Sequence, residues 1–381
     1  MTSKKPKRSL LIIVTDPMTL KILVMPQIKA LTKADWEVTV ICGIGKSDQT
    51  LEHRDFKLYQ LRSLVREISP LVDLLCIFQI LRIVNRIKPD IAIVSTPKAS
   101  FLGMIACYLA RVPKRVYQIR GARWENGIGI GAKLSKATDI VSLKLSTNLV
   151  AVSPSLVTLY QKEFNLKKSV SVLGFGSSKG VDTNIFFPPN SFSLDLNSFR
   201  IGFIGRLTQD KGVADLIHIF KQLKVQFPNL SLDLIGFADL TDPVSQETIA
   251  FIQTSPDIHW FQNLAHHEIA EKVRSWAIML FPSRREGLPN AVIEAAACGT
   301  PTIGWKIGGV VDALPKKHLD FALSPGNLQQ ATSKVVEVIQ RKDYPSIRED
   351  FASWAKENFD EKVVAGNFVN YVELQNEESN A

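Results

Sequence analysis

Short apolar runs alternate with longer segments of helical spacing along nearly the whole chain, and this alternation constrains the fold more than any other feature. In the first half "SLLIIV", "WEVTVIC", "DIAIVS", "KRVYQI" and "NLVAVS" read as strands. Between them "LKILVMPQIKALTK", "LVDLLCIFQILRIVNRIK" and "ASFLGMIACYLAR" carry helical spacing. The pattern then restarts with "FRIGFIG", "LSLDLIG", "DIHWF", "AIMLFPS" and "TPTIGW" as strands and helices predicted at about 212–226, 245–254, 266–275, 290–298 and 327–341. Strand and helix in repeated alternation give parallel sheets, so the predicted class is α/β, with two Rossmann-like doubly wound domains in succession.

The chain has 381 residues, whereas single cores stop growing near ~250–300, so two domains with a cleft between them are expected. The boundary falls in "GVDTNIFFPPNSFSLDLNS", a Pro- and Ser-bearing link of weak periodicity. This gives residues 1–187 and 188–358 as the domains, with 359–381 as a further helix and a frayed "NEESNA" tail. A 45% hydrophobic and 22% charged composition is that of a globular protein and excludes default disorder. Cys42, Cys76, Cys107 and Cys298 fit no metal or redox spacing, which points to a reduced, cytosolic setting. The apolar run Leu10 to Val14 stops at Thr15 and Asp16, too short for a signal peptide, and "LVDLLCIFQILRIV" is broken by Asp73, Gln79 and Arg82, so no membrane span is expected.

Net charge is +9, and it is unevenly placed. Arg111 to Lys168 holds eleven Lys and Arg against Glu125, Asp139 and Glu163, a surplus of eight. Such a region attracts an anionic partner, a lipid leaflet or nucleic acid by the same physics, or else it is a solvated face.

Ligands of open parallel sheets bind beyond the carboxyl ends of the strands. Two loops of the second half draw attention there. In "IGFIGRLTQDKGVADLI" a strand ends at Gly205, Arg206 and Lys211 follow, and a helix begins near Val213. Two cations beside a helix N-terminus suit a diphosphate, although surface charge beside a turn would give the same string. In "SRREGLPNAVIEAAACGTP" Glu286 lies on the loop and Glu294 on the following helix, four residues after Asn290. Two carboxylates so placed suit a ligand presenting hydroxyls, with the Gly287 and Leu288 amides in reach; the alternative is a capping Glu286 and a solvated Glu294.

"FPSRREGLPNAVIEAAACGTPTIGWKIGG" resembles the E-x7-E segment of retaining glycosyltransferases of family 4, and "GRLTQDKG" resembles their G-R-L-x-x-x-K-G loop. The resemblance extends over roughly residues 9–375, including "GFGSSKGVDTNIFFP" as a link between domains and the bacterial surface-polysaccharide pattern "IKPDIAIVSTPKASFLGMIA". It implies the GT-B architecture, with a nucleotide-sugar donor on the second domain and a lipid-linked or oligosaccharide acceptor on the first. It further implies that Glu294 holds the ribose hydroxyls, that Arg206 and Lys211 neutralise the diphosphate, and that Glu286 contacts the transferred sugar. Gly205, Gly287, Leu288 and Asn290 complete the donor site. There is no D-x-D, so metal independence and no cofactor are expected, with retention by front-face attack.

Where relatives carry a histidine after a first-domain strand, this chain reads "VYQIRGARWENG". Arg120, Arg123 and Glu125 stand there as candidate acceptor residues for a pyrophosphate, against an Arg120–Glu125 ion pair or plain surface charge. His266 and His267 read as surface or capping residues, Trp276 and Met279 as core, and "GFGSSKG" as a turn lacking the strand and helix of a dinucleotide motif. The expected protein is a cytoplasmic transferase, peripheral on the anionic inner face of the membrane through its basic first half. The alternatives are a non-hydrolysing nucleotide-sugar epimerase of the same fold and a basic nucleic-acid-binding protein; the basic run lacks interleaved aromatic stacking platforms, which speaks against the latter and for no nucleic-acid partner.

Overall fold

The structure, a computed structural model, describes residues 8–45, 55–125, 127, 129–239 and 241–380, with side chains through Glu377. One compact unit extends to Lys179 and resumes from Lys362; the other is Gly180–Glu361.

The first unit is built on seven strands: β1 Ser9–Ile13, β2 Glu37–Gly43, β3 Lys57–Leu61, β4 Ile91–Ser95, β5 Lys114–Ile119, β6 Asn148–Ala151 and β7 Val170–Val172. Their spatial order is β3, β2, β1, β4, β5, β6, β7, and all pairs are parallel. From β1 to β3 the chain steps one way across the sheet, and from β3 to β7 it steps the other. Right-handed crossovers therefore put the Met25–Lys33 helix on one face and the Pro70–Ile87, Pro97–Leu109, Ile130–Leu145 and Pro154–Phe164 helices on the opposite face.

Alternate strand residues Leu10, Ile12, Val38, Val40, Ile91 and Ile93 form one buried side of this sheet. Ile28 and Leu31 cover them together with Phe368, Tyr371 and Val372 of the Glu361–Asn380 helix, which closes the first unit's core from the far end of the chain. Each fully buried aliphatic or Phe side chain contributes ~1.5–3 kcal/mol. Trp36 Nε1 donates to Glu373 Oε1 at 2.8 Å and Asn148 Nδ2 to Gln375 Oε1 at 2.7 Å, so the last helix is also held by polar contacts.

Three local readings change. The single helix expected over "LKILVMPQIKALTK" opens with a π-helical turn, Leu20–Val24, before Met25–Lys33; Pro26 has no backbone N–H to donate and crowds the turn before it. The last helix continues to Asn380 through the segment read as a frayed tail. A three-residue strand, β7, does precede "GFGSSKG", but no helix follows and the segment turns as expected.

The second unit holds β8 Arg200–Ile204, β9 Ser231–Ile235, β10 Ile258–Phe261, β11 Ile278–Phe281, β12 Thr302–Trp305 and β13 Ala322–Leu323, in the order β10, β9, β8, β11, β12, β13, again all parallel. Trp276 and Met279 are fully buried in its core. His266 and His267 are exposed in the first turn of the His266–Ser275 helix.

Candidate active site

The second sheet grows outward in one direction from β8 to β10 and in the other from β11 to β13. β8 and β11 are hydrogen-bonded neighbours, so the strand order reverses between them. At such a reversal the two loops leaving the strands part toward opposite faces and leave a crevice. Those two loops are 205–212 and 282–289, the pair singled out from the sequence.

They are joined through their backbones. Gly212 has φ +70° at the N-cap of the Val213–Gln226 helix, and a Cβ there would lie 2.0 Å from the Pro282 carbonyl oxygen. Arg284 N donates to the Asp210 carbonyl at 2.8 Å. Only glycine permits both the left-handed backbone and this approach.

Lys211 Nζ forms an ion pair with Glu286 Oε1, which also accepts a hydrogen bond from Ser283 Oγ at 2.8 Å. Their side chains are only 16% and 12% exposed, so removing either partner strands a nearly desolvated charge. Arg206 is more open and pairs with Asp239 at 2.6 Å and with Asp210 at 3.9 Å, while Arg285 lies 3.6 Å from Asp210. Burial pushes the Asp210 carboxyl up, but the Thr208 hydroxyl and then Lys211, Arg206 and Arg285 outweigh it and hold it below the usual carboxylate range. Asp239 is held at about 2, first by hydrogen bonds from the Thr241 backbone and hydroxyl and then by Arg206. Three cations thus stand beside the N-terminus of the Val213–Gln226 helix, Lys211 paired with Glu286, Arg206 with Asp239 and Asp210, and Arg285 with Asp210.

Glu294 lies on the Asn290–Ala297 helix and is 8% exposed, which removes the solvated alternative. The Asn290 side-chain oxygen on the same helix is buried with no hydrogen-bond partner among the described residues. A buried acceptor without a donor is costly, and a ligand O–H or N–H would satisfy it. Gly205 N is committed to the Ile235 carbonyl at 2.9 Å, and Leu288 packs partly against the core. A Cβ on Gly309 would meet the Glu286 and Gly287 carbonyl oxygens at 2.7 Å, so the start of the Gly308–Ala313 helix lies against this loop. Sequence reasoning gave Gly309 no role; the signal was the "GG" two residues past the end of a strand.

In the first unit Arg120 directly follows β5. Its Nη2 donates to Gln118 Oε1 at 2.9 Å, whereas Nε and Nη1 are buried without a partner among the described residues, and burial lowers its pKa to about 10. Among the described residues it forms no ion pair with Glu125. Arg123 is exposed and Glu125 half-buried in the turn that follows. That turn is anchored by Asp139, which accepts from Tyr117 Oη at 2.9 Å, Trp124 Nε1 at 2.8 Å and Tyr160 Oη at 2.5 Å. Burial raises the Asp139 pKa, and these three hydrogen bonds offset it only in part.

The first sheet reverses between β1 and β4, and sequence reasoning had nothing at that point. The structure places Thr15 and Thr96 there, their hydroxyl oxygens 2.8 Å apart, with Ala99 N donating to Thr15 Oγ1 at 3.1 Å. Thr96 has φ +72°, a strained backbone for a β-branched residue. The available signal was "STP" after a buried strand.

Residues 188–358 match the family model described as Glycosyl transferases group 1, and residues 12–127 match that described as Glycosyl transferase 4-like. The chain is similar to the capsular polysaccharide biosynthesis glycosyltransferase CapM of Staphylococcus aureus, 26% identical over 324 residues and covering 83% of this chain and 84% of the other. It is also similar to the Escherichia coli UDP-Gal:alpha-D-GlcNAc-diphosphoundecaprenol alpha-1,3-galactosyltransferase, at 23% identity with 84% of each chain covered. Among solved structures, Anabaena HepE in complex with UDP aligns with a TM-score of 0.75 at 18% identity, over 96% of this chain and 99% of that one, a likeness of fold.

Proposed function

Because the chain is a GT-B glycosyltransferase of the bacterial surface-polysaccharide type, we propose that it moves a hexose or N-acetylhexosamine from a UDP-linked donor to a lipid-linked or oligosaccharide acceptor in capsule, lipopolysaccharide or exopolysaccharide assembly. The observation that carries the reading is the Lys211–Glu286 pair at the strand reversal of the second sheet, with Arg206 close by and Glu294 buried on the adjoining helix.

In this reading Arg206 and Lys211 hold the donor diphosphate, Glu294 accepts the ribose hydroxyls and Glu286 those of the transferred sugar. Gly287, Leu288 and Asn290 add backbone and amide contacts. Transfer proceeds with retention by front-face attack: the C1–oxygen bond to the diphosphate breaks, the acceptor oxygen bonds to C1, and the acceptor proton passes to the leaving phosphate. Lys211 and Arg206 stabilise the charge that grows on that phosphate, a task that needs no metal ion when side-chain cations perform it. A relative named for a UDP-Gal donor and a diphosphoundecaprenol-linked acceptor supports the donor class and a lipid diphosphate as acceptor. The unpartnered nitrogens of Arg120, with Arg123 and Glu125 beyond, are the candidate acceptor contacts, on a basic first unit working at an anionic cytoplasmic membrane surface.

The test is a metal-free panel of UDP-, GDP- and ADP-sugars scored by nucleoside diphosphate release, with and without membrane extract, for wild type beside Glu294→Gln. Release from a UDP-sugar, raised by extract and reduced in the variant, is expected; no release from any donor would overturn the reading. A changed sugar on the donor with no acceptor product would instead identify the epimerase.

A further inference from the structure

The most exposed apolar surface of the first unit lies on two helices that share one face of its sheet. On Pro70–Ile87 the buried residues are Cys76, Ile80 and Val84. Leu71, Leu74, Leu75 and Phe78, spaced for the opposite face, are between 51% and 83% exposed, and Ile68 just before them is 66% exposed. On Ile130–Leu145 the buried residues are Asp139, Ser142 and Leu143, and the exposed ones include Ile130 at 84%, Leu134 and Ile140. Pro97–Leu109 lies between the two helices and touches both.

Both outward faces also carry cations: Arg82 and Arg86 on the first helix, Lys88 directly after it, and Lys133 and Lys144 on the second, all exposed. Each helix holds one acid, and each acid is spent inward. Asp73 pairs with Lys98 on the intervening helix at 2.6 Å, and Asp139 takes the Tyr117, Trp124 and Tyr160 hydrogen bonds. What remains outward is apolar and cationic, with no acid on either helix to oppose an anionic partner. All three helices follow strands of one parallel sheet, so their N-termini sit along one edge. The apolar cluster of the first helix therefore lies at that edge, with Arg82, Arg86 and Lys88 behind it.

We propose that this two-helix face seats the protein on an anionic lipid leaflet, with Leu71, Leu74, Leu75, Phe78 and Ile130 in the acyl boundary and the cations among the headgroup phosphates. An apolar strip backed by Lys and Arg is the pattern of an interfacial helix rather than of a span, and no described helix is long and apolar enough to cross a bilayer. A second copy of the chain fits this face poorly, because pairing the face with itself sets cation against cation. The proposal deepens the membrane part of the proposed function and rests on that reading for its biological setting alone.

The experiment is co-sedimentation of the full chain with phosphatidylglycerol vesicles and with phosphatidylcholine vesicles, beside sugar-nucleotide cleavage measured without lipid. Wild type is expected to bind the anionic vesicles. L75E/F78E and, separately, R82E/R86E are expected to weaken that binding by roughly an order of magnitude or more, while lipid-free cleavage stays within about twofold of wild type. Val225→Glu, at an exposed apolar site in the second unit, is expected to bind as wild type. Wild type failing to sediment with phosphatidylglycerol, or L75E/F78E sedimenting like wild type, overturns the proposal. Variants that change the sedimentation coefficient and leave vesicle binding intact overturn it in favour of self-association. Vesicle binding without any sugar-nucleotide cleavage would leave the docking face standing and count against the transferase reading instead.

Discussion

Lys211 and Glu286, 75 residues apart in the chain, form an ion pair where the loops after β8 and β11 meet. Each limits what can be done to the other: removing the cation leaves a carboxylate that is 12% exposed and, among the described residues, keeps the Ser283 hydroxyl as its remaining side-chain donor.

Lys211→Met is expected to lower kcat by roughly 10²–10³, the size of one lost transition-state donor, ~3–4 kcal/mol. It should also lower Tm by a smaller margin through the stranded Glu286. The double variant K211M/E286Q should recover the thermal stability and none of the turnover. Recovery of both in the double variant would assign the pair to folding alone.

Glu294→Gln should weaken nucleotide binding about 10- to 100-fold, since hydrogen bonds to a charged group contribute ~1.5–3 kcal/mol. Calorimetric titration with UDP reads this directly. An unchanged Kd would remove Glu294 from the ribose site.

Two glycines with similar positive φ separate backbone strain from close approach. Gly326, at φ +80°, has nothing within 4 Å of a built Cβ, whereas Gly212, at φ +70°, has the Pro282 carbonyl oxygen at 2.0 Å. Gly326→Ala should cost on the order of 1 kcal/mol. Gly212→Ala should cost clearly more and abolish activity, because Lys211 moves with the displaced loop. Equal Tm losses in the two variants would contradict the contact.

Arg120 buries two nitrogens that have no partner among the described residues. Arg120→Met should therefore leave Tm unchanged or raise it, because unpaired buried polar groups cost ~1–3 kcal/mol. Transfer to a diphosphate-linked acceptor should fall, while donor cleavage in water is retained. A large drop in Tm would show that Arg120 serves the fold.

Asp139 gives a pH-dependent expectation. Its folded-state pKa is raised above the ordinary value of 3.8 by burial, so the stability it contributes is fully present below about pH 4 and declines as pH rises through the raised value. Asn cannot titrate. The margin of wild type over Asp139→Asn in urea unfolding should therefore narrow from below pH 4 toward neutrality; a margin that widens would reverse the assigned shift.

Much of the fold was legible locally. The five apolar runs read in each half all form strands, because a buried parallel strand needs little more than a short β-branched stretch between turns. The three strands not read, β3, β7 and β13, lie at sheet edges and are short, half-exposed or both, so they carry little pattern. The Ile130–Leu145 helix carries little helical signal in the sequence, since its exposed Ile130, Leu134 and Ile140 blur the apolar periodicity. The same exposed residues belong to the proposed lipid face.

By itself the sequence determined that Glu286, Arg206 and Lys211 sit on loops after strands and that Glu294 sits on a helix, because strand, turn and helix signals act over a few residues. Tertiary structure decided that these loops touch, that Lys211 reaches Glu286, that Glu294 is buried and that two nitrogens of Arg120 lack partners. Each of those depends on β8 lying next to β11 or on side chains closing over one another. Strand order and burial follow from the free energy of packing the whole core, and no short stretch of residues carries that information.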